Sequence, residues 1–156
     1  MDRQYLLKSI FFLGLSMGFC TQANALGITG LQSYNFPDLT GTVTVSQDHD
    51  LCVYDTEEKK PEYMITAYGD GPRSKFRIYQ NQYYMNLVVR WNDDSGTKKN
   101  IALRAGVSQG PFAANSKLIC GGKDNANLEI SINDNQIQNA VAGNYAGQIQ
   151  LVVTAP

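Results

Sequence analysis

Few residues in this chain are equipped for chemistry. His49 is the only histidine and stands between Asp48 and Asp50, where a carboxylate-oriented base can be drawn. No partner nucleophile stands out, so Asp48-His49-Asp50 reads as a solvated loop beside the start of a strand. Asp48, Asp50, Asp55, Glu57 and Glu58 crowd one stretch. Their spacing is not that of a calcium-binding loop, and a charged surface turn is expected. Asp93 and Asp94 fall in Asn92-Asp-Asp-Ser-Gly96, where aspartate suits a turn for backbone reasons. There is no Gly-x-Ser-x-Gly elbow, no phosphate loop and no histidine pair at ligand spacing. Two carboxylates on a β scaffold would be the minimum for a glycosidase, and their separation is not written in a sequence. The expectation is a protein that binds, with no enzymatic activity, no cofactor and no metal.

The cysteines point to a compartment. Residues 1–25 read as a signal peptide: Arg3 and Lys8 precede an apolar run from Ser9 to Phe19, and Ala23-Asn-Ala25 supplies the small-x-small cleavage pattern. The run is shorter than the roughly 20 residues that span a bilayer. Cleavage after Ala25 would remove Cys20 and leave Cys52 and Cys120 in an oxidising compartment, where such a pair reads as a disulfide. Closing a loop of about 70 residues stabilises by about 4 kcal/mol on the chain-entropy estimate. The expected mature chain, residues 26–156, is one domain's length with no membrane span. The 13 basic and 14 acidic residues of the whole chain nearly cancel and form no long run of one sign, so the footprint of nucleic-acid binding is absent.

The elements that would position these residues have a period of two. Tyr63, Ile65 and Ala67 share one face of Glu62–Tyr68, and Phe76 and Ile78 share a face with Lys75 and Arg77 opposite. Tyr83–Trp91 reads as one long run with Met85, Leu87, Val89 and Trp91 in register. Thr42–Val45, Leu51–Tyr54, Ile101 with Leu103, Lys117–Cys120, Leu128–Ile132 and Gln148–Thr154 complete the set, and the last places Ile149, Leu151 and Val153 together. Turn chemistry separates the runs at Gly69–Pro72, Asn92–Gly96, Gly121-Gly122 and Asn133–Asn135. Only Gln136–Ala142 suits a short helical turn. These features predict an all-β sandwich of immunoglobulin-like type. Tyr79, Tyr83, Tyr84 and Trp91 could stack on a sugar, although aromatic residues in strands are more often core.

The order of short phrases carries a resemblance. Tyr34-Asn-Phe36, Leu51-Cys-Val-Tyr54, Tyr63-Met-Ile-Thr-Ala-Tyr-Gly-Asp-Gly71, Val88-Val-Arg-Trp-Asn-Asp93, Cys120-Gly-Gly122, Asn127–Ile132 and Ala142-Gly-Asn-Tyr-Ala-Gly-Gln-Ile-Gln-Leu151 follow one another. This resembles the spore coat protein U domain family, which includes subunits of archaic (Csu-type) chaperone–usher pili, from about Tyr34 to the C-terminus. The resemblance implies an incomplete immunoglobulin-like β-sandwich lacking one strand. A periplasmic chaperone would fill the gap first, and the N-terminal segment of a neighbouring pilus subunit would replace it at an outer-membrane usher. It further implies that Ile149, Leu151 and Val153 edge the strand-acceptor groove, and that the Pro156 carboxylate lies near basic chaperone residues. Function would be adhesion and biofilm formation at the cell surface, after transit through the periplasm. A donor strand needs alternating apolar residues, and here Leu26 and Ile28 could serve. The same Leu26–Ser33 stretch, with its two glycines, suits the domain's own first strand equally well. Family members with a further cysteine near the mature N-terminus have no counterpart here, which suits a minor or terminal subunit, or a member outside a polymer. The alternative in another class is a monomeric secreted β-sandwich that binds a carbohydrate or other small ligand.

Overall fold

Each run of alternating residues has one apolar face to remove from water, and two sheets facing one another accomplish this. The computed structural model describes residues 26–36, 43–93 and 100–156; the expected leader at 1–25 and Asp94 lie outside these. The described chain is an antiparallel β-sandwich. Its strands are β1 (Leu26–Thr29), β2 (Val45–Asp55), β3 (Glu62–Gly69), β4 (Arg77–Gln80), β5 (Tyr83–Asn86), β6 (Val88–Asn92), β7 (Ile101–Ala102), β8 (Gln109–Ala113), β9 (Ala126–Ile132) and β10 (Ile149–Thr154). One sheet runs β1-β2-β9-β6-β7, the other β10-β3-β8, and β4-β5 is a separate hairpin. A single helical turn, α1 (Asp134–Gln138), follows β9.

The sheets meet through the residues the alternation singles out. Leu51 and Val53 of β2, Val89 and Trp91 of β6, and Leu128 and Ile130 of β9 face Tyr63, Ile65 and Ala67 of β3 in one core. At its centre the Trp91 indole N–H donates to the Tyr63 hydroxyl at 3.1 Å, across the two sheets, and both residues are 0% exposed. Their rings meet nearly edge-on, 6.3 Å apart at 81°, and Phe112 lies 5.6 Å from Tyr63 on the other side. Burial, reinforced by the charge of Asp93, pushes the Tyr63 phenol well above its ordinary pKa, while the bond from Trp91 opposes the shift. A smaller cluster of Met85, Ile132 and Ile137 fastens the hairpin and α1 to one end.

The disulfide joins Cys52 in β2 to Cys120, with Cα atoms 5.9 Å apart and a sequence separation of 68. Around it the backbone departs from the expected strand. Lys117–Cys120 belongs to a 3₁₀ turn spanning Leu118–Gly122, in which Ile119, Cys120 and Gly121 all have left-handed backbone angles. A non-glycine residue there costs roughly 1–2 kcal/mol. Tertiary bonds override the propensity: the Asn115 side chain accepts from the Lys117 N–H at 2.8 Å, and the disulfide fixes the far end. The expected run from Tyr83 to Trp91 also breaks at Leu87, whose N–H donates to the Phe76 carbonyl at 2.9 Å. This sends Met85 into the smaller cluster and Val89 and Trp91 into the main core. Strand β8 was hidden in the sequence by Gly110 and Pro111. Proline lacks a ladder donor and is tolerated because β8 is an edge strand opposite a register shift between Tyr63 and Ile65.

Two stability tests follow from these contacts. Replacing both cysteines by serine is expected to lower the unfolding free energy by about 4 kcal/mol, measured by denaturant titration beside the reduced wild type. Tyr63→Phe leaves a buried indole N–H unpartnered and is expected to cost about 1–3 kcal/mol. In the unfolded chain Tyr63 ionises near the ordinary phenol value of about 10, whereas burial in the fold keeps it neutral well above that. Its contribution is therefore full below that pH and falls as pH rises above it, so the Phe variant should lose less stability between pH 9 and 11, an interval of roughly one unit either side of a free phenol's pKa.

Candidate functional site

The backbone of a strand carries donors and acceptors on both edges, and the question at any edge is what takes them up. At one end of the sandwich nearly every edge is matched. Beyond β8 the chain crosses to the other sheet, where Asn115 pairs in parallel with Tyr54. The Asp55 N–H donates to the Asn115 carbonyl and the Asn115 N–H to the Val53 carbonyl, both at 2.9 Å. The Asn125 side chain then imitates a strand: its carbonyl accepts from the Val53 N–H at 2.9 Å and its amide donates to the Val53 carbonyl at 3.0 Å. Around this end the order is β10, β3, β8, the Asn115 crossing, β2 and β1.

The circuit does not close. β1 and β10 approach one another with Cα atoms within 8 Å. Among the described residues, however, β10 has a ladder only with β3, and β1 only with β2. The seam between them opens onto the main core. Ile149, Leu151 and Val153 of β10 and Leu26 and Ile28 of β1 are all partly buried and pack against that core from the two lips. Of the alternate residues, Gln150 and Thr154 are exposed, while Val152 is partly buried. An extended segment can add to such an unpaired edge as a further strand once β1 shifts outward, since two ladder spacings of about 4.8 Å exceed the present approach. Pro156 follows β10 and is exposed.

Leu26 and Ile28 lie in β1, which is paired antiparallel with β2 of the same chain, Leu26 opposite Asp55 and Ile28 opposite Val53. The glycine between them has a local purpose. Gly27 sits opposite Tyr54, whose ring crosses the strand so closely that a Cβ on Gly27 would meet it at 2.7 Å. The following residues fold over the inner face: the Tyr34 hydroxyl donates to the Leu128 carbonyl at 2.7 Å, and Phe36 packs against the core. Burial, with the nearby charge of Asp48, raises the Tyr34 phenol's pKa well above the ordinary value.

The other candidates disperse. His49 lies inside β2, opposite Leu128, and its ring meets Tyr34 edge-on at 4.6 Å. The expected loop gives way to strand because pairing with β9 continues without a break from Val45 to Leu51. Asp48 and Asp50 both accept from the Asn127 amide, at 2.9 and 3.0 Å, and Asp55 caps the Glu57 N–H at the strand's end. Among the described residues no group of His, Cys, Asp and Glu could hold a metal ion. None of the described helices is long and apolar enough to cross a membrane. Trp91 is core, not surface, whereas Tyr83 and Tyr84 are 44% and 48% exposed. Sequence reasoning missed Asn115 and Asn125, whose roles depend on a crossing that no local pattern announces.

No protein-family model matches the chain, and no curated protein matches it. Among solved structures, the fold is similar to that of a chain from a structure described as a chaperone–tip adhesin complex vital for synergistic activation of CFA/I fimbriae biogenesis. The TM-score is 0.60 at 19% identity, over 84% of this chain and 41% of that one. The likeness is one of fold, and this chain spans well under half of its neighbour's length.

An unmatched edge has a measurable signature. In hydrogen–deuterium exchange the β10 amides that point toward β3 should be protected, while the alternate amides facing the seam exchange like those of a loop. Uniform protection along β10 would mean that its outer edge is covered.

Proposed function

We propose that residues 26–156 form one pilin domain of a chaperone–usher fimbria, exported by a cleaved leader at 1–25 and completed by a strand from another chain. The observation that carries the reading is the seam between β1 and β10, with an unpaired β10 edge and five half-buried aliphatic side chains on its lips. In isolation such a seam exposes both backbone polarity and apolar surface. An inserted strand would satisfy the first through main-chain bonds and the second through alternate side chains.

In this reading a periplasmic chaperone occupies the seam first, and a neighbouring subunit's segment replaces it at the outer-membrane usher. Ile149, Leu151 and Val153 grip the incoming side chains, and the Pro156 carboxylate lies where a chaperone's basic residues would anchor it. The disulfide fits assembly outside the cytoplasm. The fold likeness to a chain from a fimbrial chaperone–adhesin structure supports the same class. The spore coat protein U resemblance adds a role in adhesion and biofilm formation. The work is binding, without catalysis.

Co-expression with a periplasmic chaperone of an archaic chaperone–usher system should yield a one-to-one complex on size exclusion. The chain expressed alone should aggregate or be degraded. Leu151→Asp, on the seam lip, should abolish co-purification, while Gln150→Asp, on the opposite face of the same strand, should leave it intact. A stable soluble monomer without chaperone would overturn the reading and favour a monomeric carbohydrate-binding sandwich.

A further inference from the structure

The hairpin β4-β5 lies outside both sheets of the sandwich, and its two faces differ sharply. Ile78 and Met85 point inward, into the cluster with Ile132 and Ile137. The outward face pairs Arg77 with Asn86 and Tyr79 with Tyr84, and Lys75 continues the alternation just before β4. Across Gly71–Trp91 the sequence contains Arg73, Lys75, Arg77 and Arg90 and no aspartate or glutamate, although the whole chain is slightly acidic at a net charge of −1. Arg90 is paired with Glu129 and Asp70 immediately precedes this stretch, so the outward face itself carries two cations, Lys75 and Arg77, beside Tyr79 and Tyr84.

Arg77 is held in place without a carboxylate. Its guanidinium carbon lies 3.8 Å over the centre of the Tyr84 ring, and its Nε–H donates to Asn86 Oδ1 at 3.0 Å. Asn86 is itself fixed from behind: Gln136 Oε1 of α1 accepts from its backbone N–H at 2.9 Å and from its side-chain amide at 3.1 Å. Tyr79 lies 6.2 Å from Tyr84 at a tilt of 52°. Gly71 keeps the space beside them clear, since a Cβ there would come within 3.1 Å of both the Arg77 Cδ and the Tyr79 hydroxyl. Among the described residues no carboxylate lies within ion-pair distance of Arg77, so its charge is stacked and oriented without a counter-charge there. A stacked guanidinium of this kind is suited to taking a planar oxyanion with its free Nη donors.

We infer that the outward face of the β4-β5 hairpin binds a carboxylated saccharide, Arg77 and Lys75 taking carboxylates while the carboxamides of the hairpin meet the sugar hydroxyls. Charge complementarity selects an anion, and the arrangement selects a saccharide over a nucleic acid. The Tyr84 face that a base would stack upon is already covered by the guanidinium. The remaining exposed edges of the tyrosines, with the carboxamides of the hairpin, suit hydroxyl groups. This site is separate from the seam, so neither assignment depends on the other.

The test uses the full chain, purified with its co-expressed chaperone where it does not accumulate alone, and titrated with oligogalacturonate by calorimetry. Two controls are the same oligosaccharide as its methyl ester and a single-stranded oligothymidylate. Binding should be at least about tenfold weaker for the neutral ester, each tenfold corresponding to about 1.4 kcal/mol, and should weaken as salt is raised. Arg77→Gln should lose a similar factor, and Lys75→Gln, at an exposed residue, a smaller one. Tyr84→Phe, which retains the stack, should bind like wild type. Unchanged circular dichroism and melting temperature establish that each variant is folded. Equal binding of acid and ester, no binding of oligogalacturonate at millimolar concentration, or tighter binding of oligothymidylate would each overturn the inference.

Discussion

A single buried contact sets the distance between the two sheets. The Trp91 indole from one sheet donates to the Tyr63 hydroxyl from the other, with Phe112 packed behind, and all three are buried. Two large rings with one polar atom each are tolerated at the centre of a core only because those atoms satisfy one another. Once they do, the separation of β3 and β6 is fixed, and so is everything carried on their flanks. β10 pairs with β3 along its whole length, from Ile149 opposite Gly69 to Thr154 opposite Met64. The position of its free edge is thus inherited from the Trp–Tyr contact.

The same constraint explains why the molecule is closed on one side and open on the other. Between β8 and β2 the chain itself supplies the missing partners, through the backbone of Asn115 and the side chain of Asn125. Between β10 and β1 neither supplies a ladder among the described residues. The disulfide belongs to the closed side, tying β2 to the turn that precedes Asn125. The covalent tie and the Asn115 and Asn125 bonds serve the β8–β2 side, while among the described residues no ladder joins the two lips of the seam.

Much of the architecture was legible in the chain, and what was illegible has a common cause. Tyr63, Ile65 and Ala67, or Leu128 and Ile130, announce their burial by period alone, because half-buried strands must alternate. The lip residues Ile149, Leu151 and Val153 were legible as one face for the same reason. His49, Lys117–Cys120 and β8 were not, since each takes its conformation from a distant partner: Leu128 across the ladder, Cys52 through the disulfide, and Tyr63 beside a bulge. The tyrosines show the limit of pattern most clearly. Tyr63 and Tyr84 are both strand tyrosines, yet one is sealed in the core and the other lies under a guanidinium at the surface.

The glycine beneath Tyr54 has a consequence for which segments can lie beside β2. Most strand recognition reads a side chain by the pocket it fills. Here the ring of Tyr54 rests where a side chain would be, so the neighbour is read by what it lacks. A Cβ at position 27 would meet the end of the Tyr54 side chain at 2.7 Å and move it, while glycine leaves the ring where it lies. The pairing of β1 with β2 thus depends, at this one register position, on the absence of a side chain.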